Sequence, residues 1–73
     1  MKYLVVIEKG PRSYGAFVPD LPGCVAVAKT ARRVKRLIRE AMELHVEDLR
    51  ERYCPIPRPT AESEFVDLER SPA

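Results

Sequence analysis

The side chains to weigh first for chemistry are His45, the cysteines Cys24 and Cys54, the carboxylate of Asp20 and the acidic series Glu43, Glu47 and Glu51. Catalysis by proton transfer or nucleophilic attack needs a titrating group beside a second one that it activates. With one histidine in the chain, no Ser/His/Asp or Cys/His constellation assembles. His45 also projects onto the middle of the apolar face of a helix, which predicts a core or interface histidine. Asp20 lies in a turn, where aspartates ordinarily cap their own backbone. Glu43, Glu47 and Glu51 recur at i, i+4 spacing, a pattern that would serve a metal. They project to the solvent side near Arg39 and Arg50, so helix-surface ion pairs are the expectation. The cysteines form no CxxC pair and read as two structural thiols, and Gly10, Gly15 and Gly23 build no phosphate-cradling loop. No catalytic residue, cofactor or metal site is expected, and no enzyme.

The sharper feature is a run of cations. Lys29, Arg32, Arg33, Lys35, Arg36 and Arg39 give residues 29–39 six positive charges and no negative one, in a chain whose net charge is only +2. They crowd the start of a helix, where the backbone already carries partial positive charge. Two readings stand. One is contact with phosphate or with an acidic protein surface through Lys29, Arg32, Arg33, Arg36 and Arg39. The other is a solvated face balanced by Glu40, Glu43 and Glu47. No aromatic residue interleaves the run, which disfavours single-stranded nucleic acid.

The elements that must position these groups are few. At 73 residues the chain makes one small domain with a modest core. Lys2 to Glu8 reads as a strand, apolar on both faces, and Tyr14 to Val18 as a second, joined to the first by a turn around Gly10-Pro11. Pro19 to Gly23 is a turn, because the two prolines cannot donate ladder hydrogen bonds and Gly23 tolerates a positive φ. Cys24 to Ala28 is a third strand. Thr30 is a candidate N-cap for a helix from about Ala31 to Arg52, with Val34, Leu37, Ile38, Ala41, Met42, Leu44, His45 and Leu49 on its apolar face. Asp48 also falls on that side, against the pattern. Pro55, Pro57 and Pro59 end the helix and favour an extended path. Glu64 to Leu68 reads as a fourth strand and residues 69–73 as a frayed tail. The order β-β-β-α-β predicts an α+β fold, two layers, in one domain spanning residues 1–68.

A single helix covers one face of a sheet. Strands that are apolar on both sides therefore call for a second cover, and a homo-oligomer, most simply a dimer, is expected. No apolar run approaches the roughly 20 residues needed to span a bilayer. Nor does the N-terminus read as a secretory signal, so the expected location is cytoplasmic.

The run Pro19-Asp20-Leu21-Pro22-Gly23-Cys24, preceded by Tyr14 to Val18 and followed by Thr30 and by Arg39-Glu40-Ala41 in the helix, resembles the small HicB-like antitoxin domains of bacterial and archaeal toxin-antitoxin pairs. The spaced prolines before a last strand fit the same likeness. What the resemblance implies is a partial RNase H-like topology, self-association, and a protein that binds and neutralises a small HicA-type mRNA-cleaving toxin. Two departures stand out. The helix opens Ala31-Arg32-Arg33 where the family usually has acidic residues, so the capping box is missing. Many members also continue into a DNA-binding domain, whereas this chain ends at Ala73, and DNA-binding autoregulation is not expected. The alternative function is a nucleic-acid-binding module using the basic helix start.

Overall fold

The computed structural model describes residues 1–69, and the expected tail beyond Glu69 lies outside them. Strand β1 covers Val6–Lys9, β2 Tyr14–Phe17 and β3 Val25–Ala28, and a single helix, α1, covers Ala31–Glu51. The strands form an antiparallel meander in the order β1-β2-β3, with Ile7 opposite Ala16 and Ala16 opposite Ala26. This is the expected α+β arrangement of a three-stranded sheet and one helix.

Alternation along the strands decides which face meets the helix. Ile7, Tyr14, Ala16, Ala26 and Ala28 share the inner face and pack with Val34 and Ile38 of α1. Small residues on β2 and β3 let the helix approach closely. The largest fully buried side chains are Leu21 and Val34, and Leu21 comes from the turn rather than from a strand. That turn is hydrogen-bonded internally, Leu21 N donating to the Val18 carbonyl at 3.0 Å and Cys24 N to the Leu21 carbonyl at 3.0 Å. Gly23 sits at φ +85°, the positive value expected of it.

Thr30 caps α1 as expected, its Oγ1 accepting from Arg33 N at 3.1 Å. The far end closes by a Schellman arrangement: Cys54 N donates to the Leu49 carbonyl at 2.8 Å and Tyr53 N to the Arg50 carbonyl at 3.1 Å. The residue that must be left-handed there is Tyr53, at φ +55°. Glycine usually fills this position, so a fully exposed tyrosine holds a strained backbone.

Four expectations are corrected. Glu64 to Leu68 forms no strand, and the whole segment 62–69 is exposed. A strand exists only through its ladder partners, and among the described residues this segment has none. His45 is half-buried and lies outside the core cluster, while Leu44 is exposed and Val46 packs inward instead. The helix axis lies over β3 and β2 and only grazes β1, which turns the buried stripe toward Val34 and Ile38. Asp48 does not rim the core either; it is exposed and pairs with Arg52 at 2.9 Å. Finally, Asp20 does not cap its own turn, because its carboxylate is taken up by Thr60 and Ala61.

Candidate partner-binding surface

The carboxylate of Asp20 is held by backbone that lies forty residues away. Its Oδ2 accepts from Thr60 N and from Ala61 N, each at 2.9 Å, and its Oδ1 accepts from the Thr60 hydroxyl at 2.9 Å. The bond from Ala61 N, followed by those from Thr60, stabilises the ionised form and holds the carboxyl below its ordinary range. The hydroxyl of Tyr3 reaches the Pro57 carbonyl from the other side. Extended backbone after the prolines has no ladder of its own, so its amides need such acceptors. Composition placed Asp20 in the turn but carried no sign of a partner so distant.

Within the turn, Cys24 is buried, and burial pushes its thiol above the ordinary range, which keeps it neutral and inert. Cys54 is half-buried, and both cysteines are free. Pro19, Pro22 and Gly23 are exposed around the buried Leu21. The segment Pro19 to Cys24 is thus a built corner of the core, with Asp20 as the clamp on the C-terminal arm.

The basic run lies on the first half of α1. Lys29, Arg32, Arg33, Arg36 and Arg39 are all exposed. Arg36 faces Glu40 at 4.0 Å and Arg39 faces Glu43 at 3.9 Å, both loose surface pairs. Among the described residues, no carboxylate lies within ion-pair distance of Lys29, Arg32 or Arg33. The first turn holds no acidic residue. Three uncompensated cations therefore stand at the positive end of the helix.

Two apolar surfaces are also left open. The outer face of the sheet carries Val6, Phe17, Val25 and Val27, with Val25 64% and Val27 67% exposed. On the other side, because α1 sits away from β1, a groove of about 530 Å³ runs between them. Its floor is Tyr3, Val5, Ile7, Ile38 and Met42, and its rim is basic, from Lys2, Lys35 and Arg39. Sequence patterning indicated the apolar outer face. It missed the groove, because helix periodicity tells which face is apolar and not how far over the sheet the helix lies.

Among the described residues no three His, Cys, Asp or Glu side chains gather as a metal would require. No described helix is long and apolar enough to cross a membrane. What this surface offers is charge, an open sheet edge and apolar area, the components of protein recognition.

Residues 3–70 match the model of the HicB-like antitoxins of bacterial toxin-antitoxin systems. The chain belongs to that family. A UPF0150 protein of Thermoplasma acidophilum is 40% identical over 63 residues, covering 85% of this chain and 91% of the relative. A UPF0150 protein of Helicobacter pylori is 50% identical over 44 residues, 60% of this chain, and the matched part spans 61% of that relative's length. A third, from Archaeoglobus fulgidus, is 42% identical over 48 residues, covering 64% of this chain and 70% of the relative. No solved structure matches the chain. In this HicB-like chain the motif that carried the resemblance, Pro19 to Cys24, is the buried corner and the Asp20 clamp. Its family signature is accounted for by folding, while the cations of α1 lie outside it.

Proposed function

We propose that this HicB-like chain is an antitoxin that neutralises a small, RNA-cleaving HicA-type toxin by stoichiometric protein contact in the cytosol. The observation that carries the reading is the family match over residues 3–70, nearly the full chain. The mechanism follows from what the surface offers. A binding protein needs no reactive centre; it needs exposed area that desolvates on contact and charges that set orientation. The exposed cations Lys29, Arg32, Arg33, Arg36 and Arg39 supply the orienting field, and the uncovered apolar area supplies the desolvation term. Self-association, most simply as a dimer, belongs to the same reading, since two apolar faces flank so thin a domain.

The test is co-expression with candidate HicA-type toxins from the same genome, in a host whose growth the toxin arrests. Restored growth and a complex of fixed stoichiometry that survives nuclease treatment support the reading. Continued arrest with every candidate, and no complex at micromolar concentration, overturns it.

The uncompensated cations at Lys29, Arg32 and Arg33 favour one alternative, a nucleic-acid-binding module. It requires measurable affinity for duplex or structured RNA or for DNA, with a salt slope that drops when Arg32 and Arg36 are reversed to glutamate. Affinity unchanged by the reversal removes the alternative.

A further inference from the structure

The groove between β1 and α1 and the arm after Ala61 complement each other. The groove has an apolar floor and a rim of three cations, Lys2, Lys35 and Arg39. The arm, Glu62 to Glu69, carries four acidic residues and no basic one, together with Phe65, Val66 and Leu68. All three of these large apolar side chains are exposed. β1 is also an edge strand, and residues 1–5 continue it without ladder partners among the described residues. Such an edge is a template for one more strand.

We propose that the arm Glu62–Glu69 of one copy adds as a fourth strand to the β1 edge of a second copy, filling its groove, so that two chains exchange arms reciprocally. This rests on the self-association part of the reading above and not on the toxin. The parity of a strand assigns the side chains. Val66 and Leu68 share one face and enter the groove over Ile38 and Met42. Glu62 and Glu64, on that same face, meet the basic rim. Phe65 falls on the opposite face, beside Val6 on the outer side of the sheet. Eight residues at about 3.3 Å each reach some 26 Å, enough to follow an entire edge strand.

Exchange between chains, rather than folding back within one, follows from the clamp. The chain passes Tyr3 at Pro57, and Asp20 then holds Thr60 and Ala61 against the β2–β3 turn, so the arm starts from that turn and not along the free edge of its own β1. The chain accordingly spreads outward: its radius of gyration is 15.4 Å, against about 11 Å for a compact chain of this length. An arm that leaves its own body finds the same edge on a neighbour.

The experiment is sedimentation of the full chain combined with directed cross-linking. The mass expected is twice the 8.3 kDa of one chain. Val66→Asp places a carboxylate in the apolar groove and weakens the dimer at least tenfold, and Lys35→Glu with Arg39→Glu does the same. Combining that reversal with Glu62→Lys and Glu64→Lys restores association. In a Cys54→Ser background, oxidising a mixture of Val66→Cys and Met42→Cys chains yields a covalent dimer. A monomer at micromolar concentration overturns the proposal. So does a dimer indifferent to Val66→Asp, or a Val66→Cys/Met42→Cys double variant on the same Cys54→Ser background that bridges only within its own chain. Loss of toxin neutralisation with the dimer intact overturns the antitoxin reading and leaves the arm exchange standing.

Discussion

Leu21→Ala measures how far the turn, and not the sheet, holds this domain together. Leu21 is 0% exposed, packed beneath α1 with Val34 and Ile38. Truncation removes three heavy atoms from a site walled by backbone that is itself hydrogen-bonded at Val18 and Cys24, so the turn has little freedom to collapse into the void. Buried Leu→Ala changes cost about 2–5 kcal/mol, rising with the cavity left behind, and a rigid wall places this one near 3–4 kcal/mol. A chain of this length has roughly 4–11 kcal/mol of total stability. The variant therefore loses between about a quarter and nearly all of it. The assay is urea unfolding followed by far-ultraviolet circular dichroism, at a fixed protein concentration because association contributes. Pro22→Ala, exposed one residue away, serves as the control and shifts stability by less than about 0.5 kcal/mol. A Leu21→Ala loss below about 1 kcal/mol would refute the assignment of the turn as a corner of the core.

Four other outcomes follow. Thr30→Ala removes the cap on Arg33 N and costs about 1 kcal/mol in the same unfolding assay. Arg32→Glu replaces a cation at the positive end of α1 and stabilises the helix by about 0.3–1 kcal/mol at low salt, while weakening partner binding; a variant that is both less stable and unaffected in binding contradicts the functional reading of the run. Tyr53→Gly relieves the left-handed strain at φ +55° and raises stability by about 1 kcal/mol, read as a higher urea midpoint. Asp20→Asn releases the C-terminal arm, seen as faster amide exchange at Thr60 and Ala61. In the parent chain the Asp20 carboxyl is held below its ordinary value, so its contribution is complete above that value and fades as pH falls through the lowered one. Protection at Ala61 is therefore flat from neutral pH down to the ordinary carboxylate range and drops only below it.

Much of the fold was legible because its signals are local. Gly23 directly after the two turn prolines, Thr30 before an apolar helical stripe and prolines at alternate positions after it are each decided by a residue's own backbone chemistry, and the structure shows the turn, the cap and the helix end where they point. The strand edges were less legible. Tyr3, Leu4 and Val5 have strand composition, yet the β1–β2 ladder ends at Val6 because β2 has no further amides to offer beyond Phe17, where Val18 turns to Cys24 and Pro19 follows. What could not be read was whatever depends on distance along the chain. The Asp20 clamp joins residues forty positions apart, and the position of α1 over β3 rather than β1 is set by alanines at 16, 26 and 28 acting together. The fourth strand failed for a related reason: Phe65, Val66 and Leu68 have the right composition, but a strand is a property of a pair. The candidate surface divides in the same way, the cations of α1 being visible in the sequence and the groove beside β1 only in three dimensions.

Action by toxin binding is tested most directly by a titration of RNA cleavage. A candidate HicA-type toxin at fixed concentration is mixed with increasing amounts of the chain, and cleavage of a defined RNA is followed. Cleavage falls linearly to zero at a fixed molar ratio, and Arg32→Glu/Arg36→Glu, by weakening the complex, turns that sharp break into a gradual curve. Cleavage that continues unchanged at several-fold excess of the chain, across every candidate toxin of the genome, would contradict action by toxin binding.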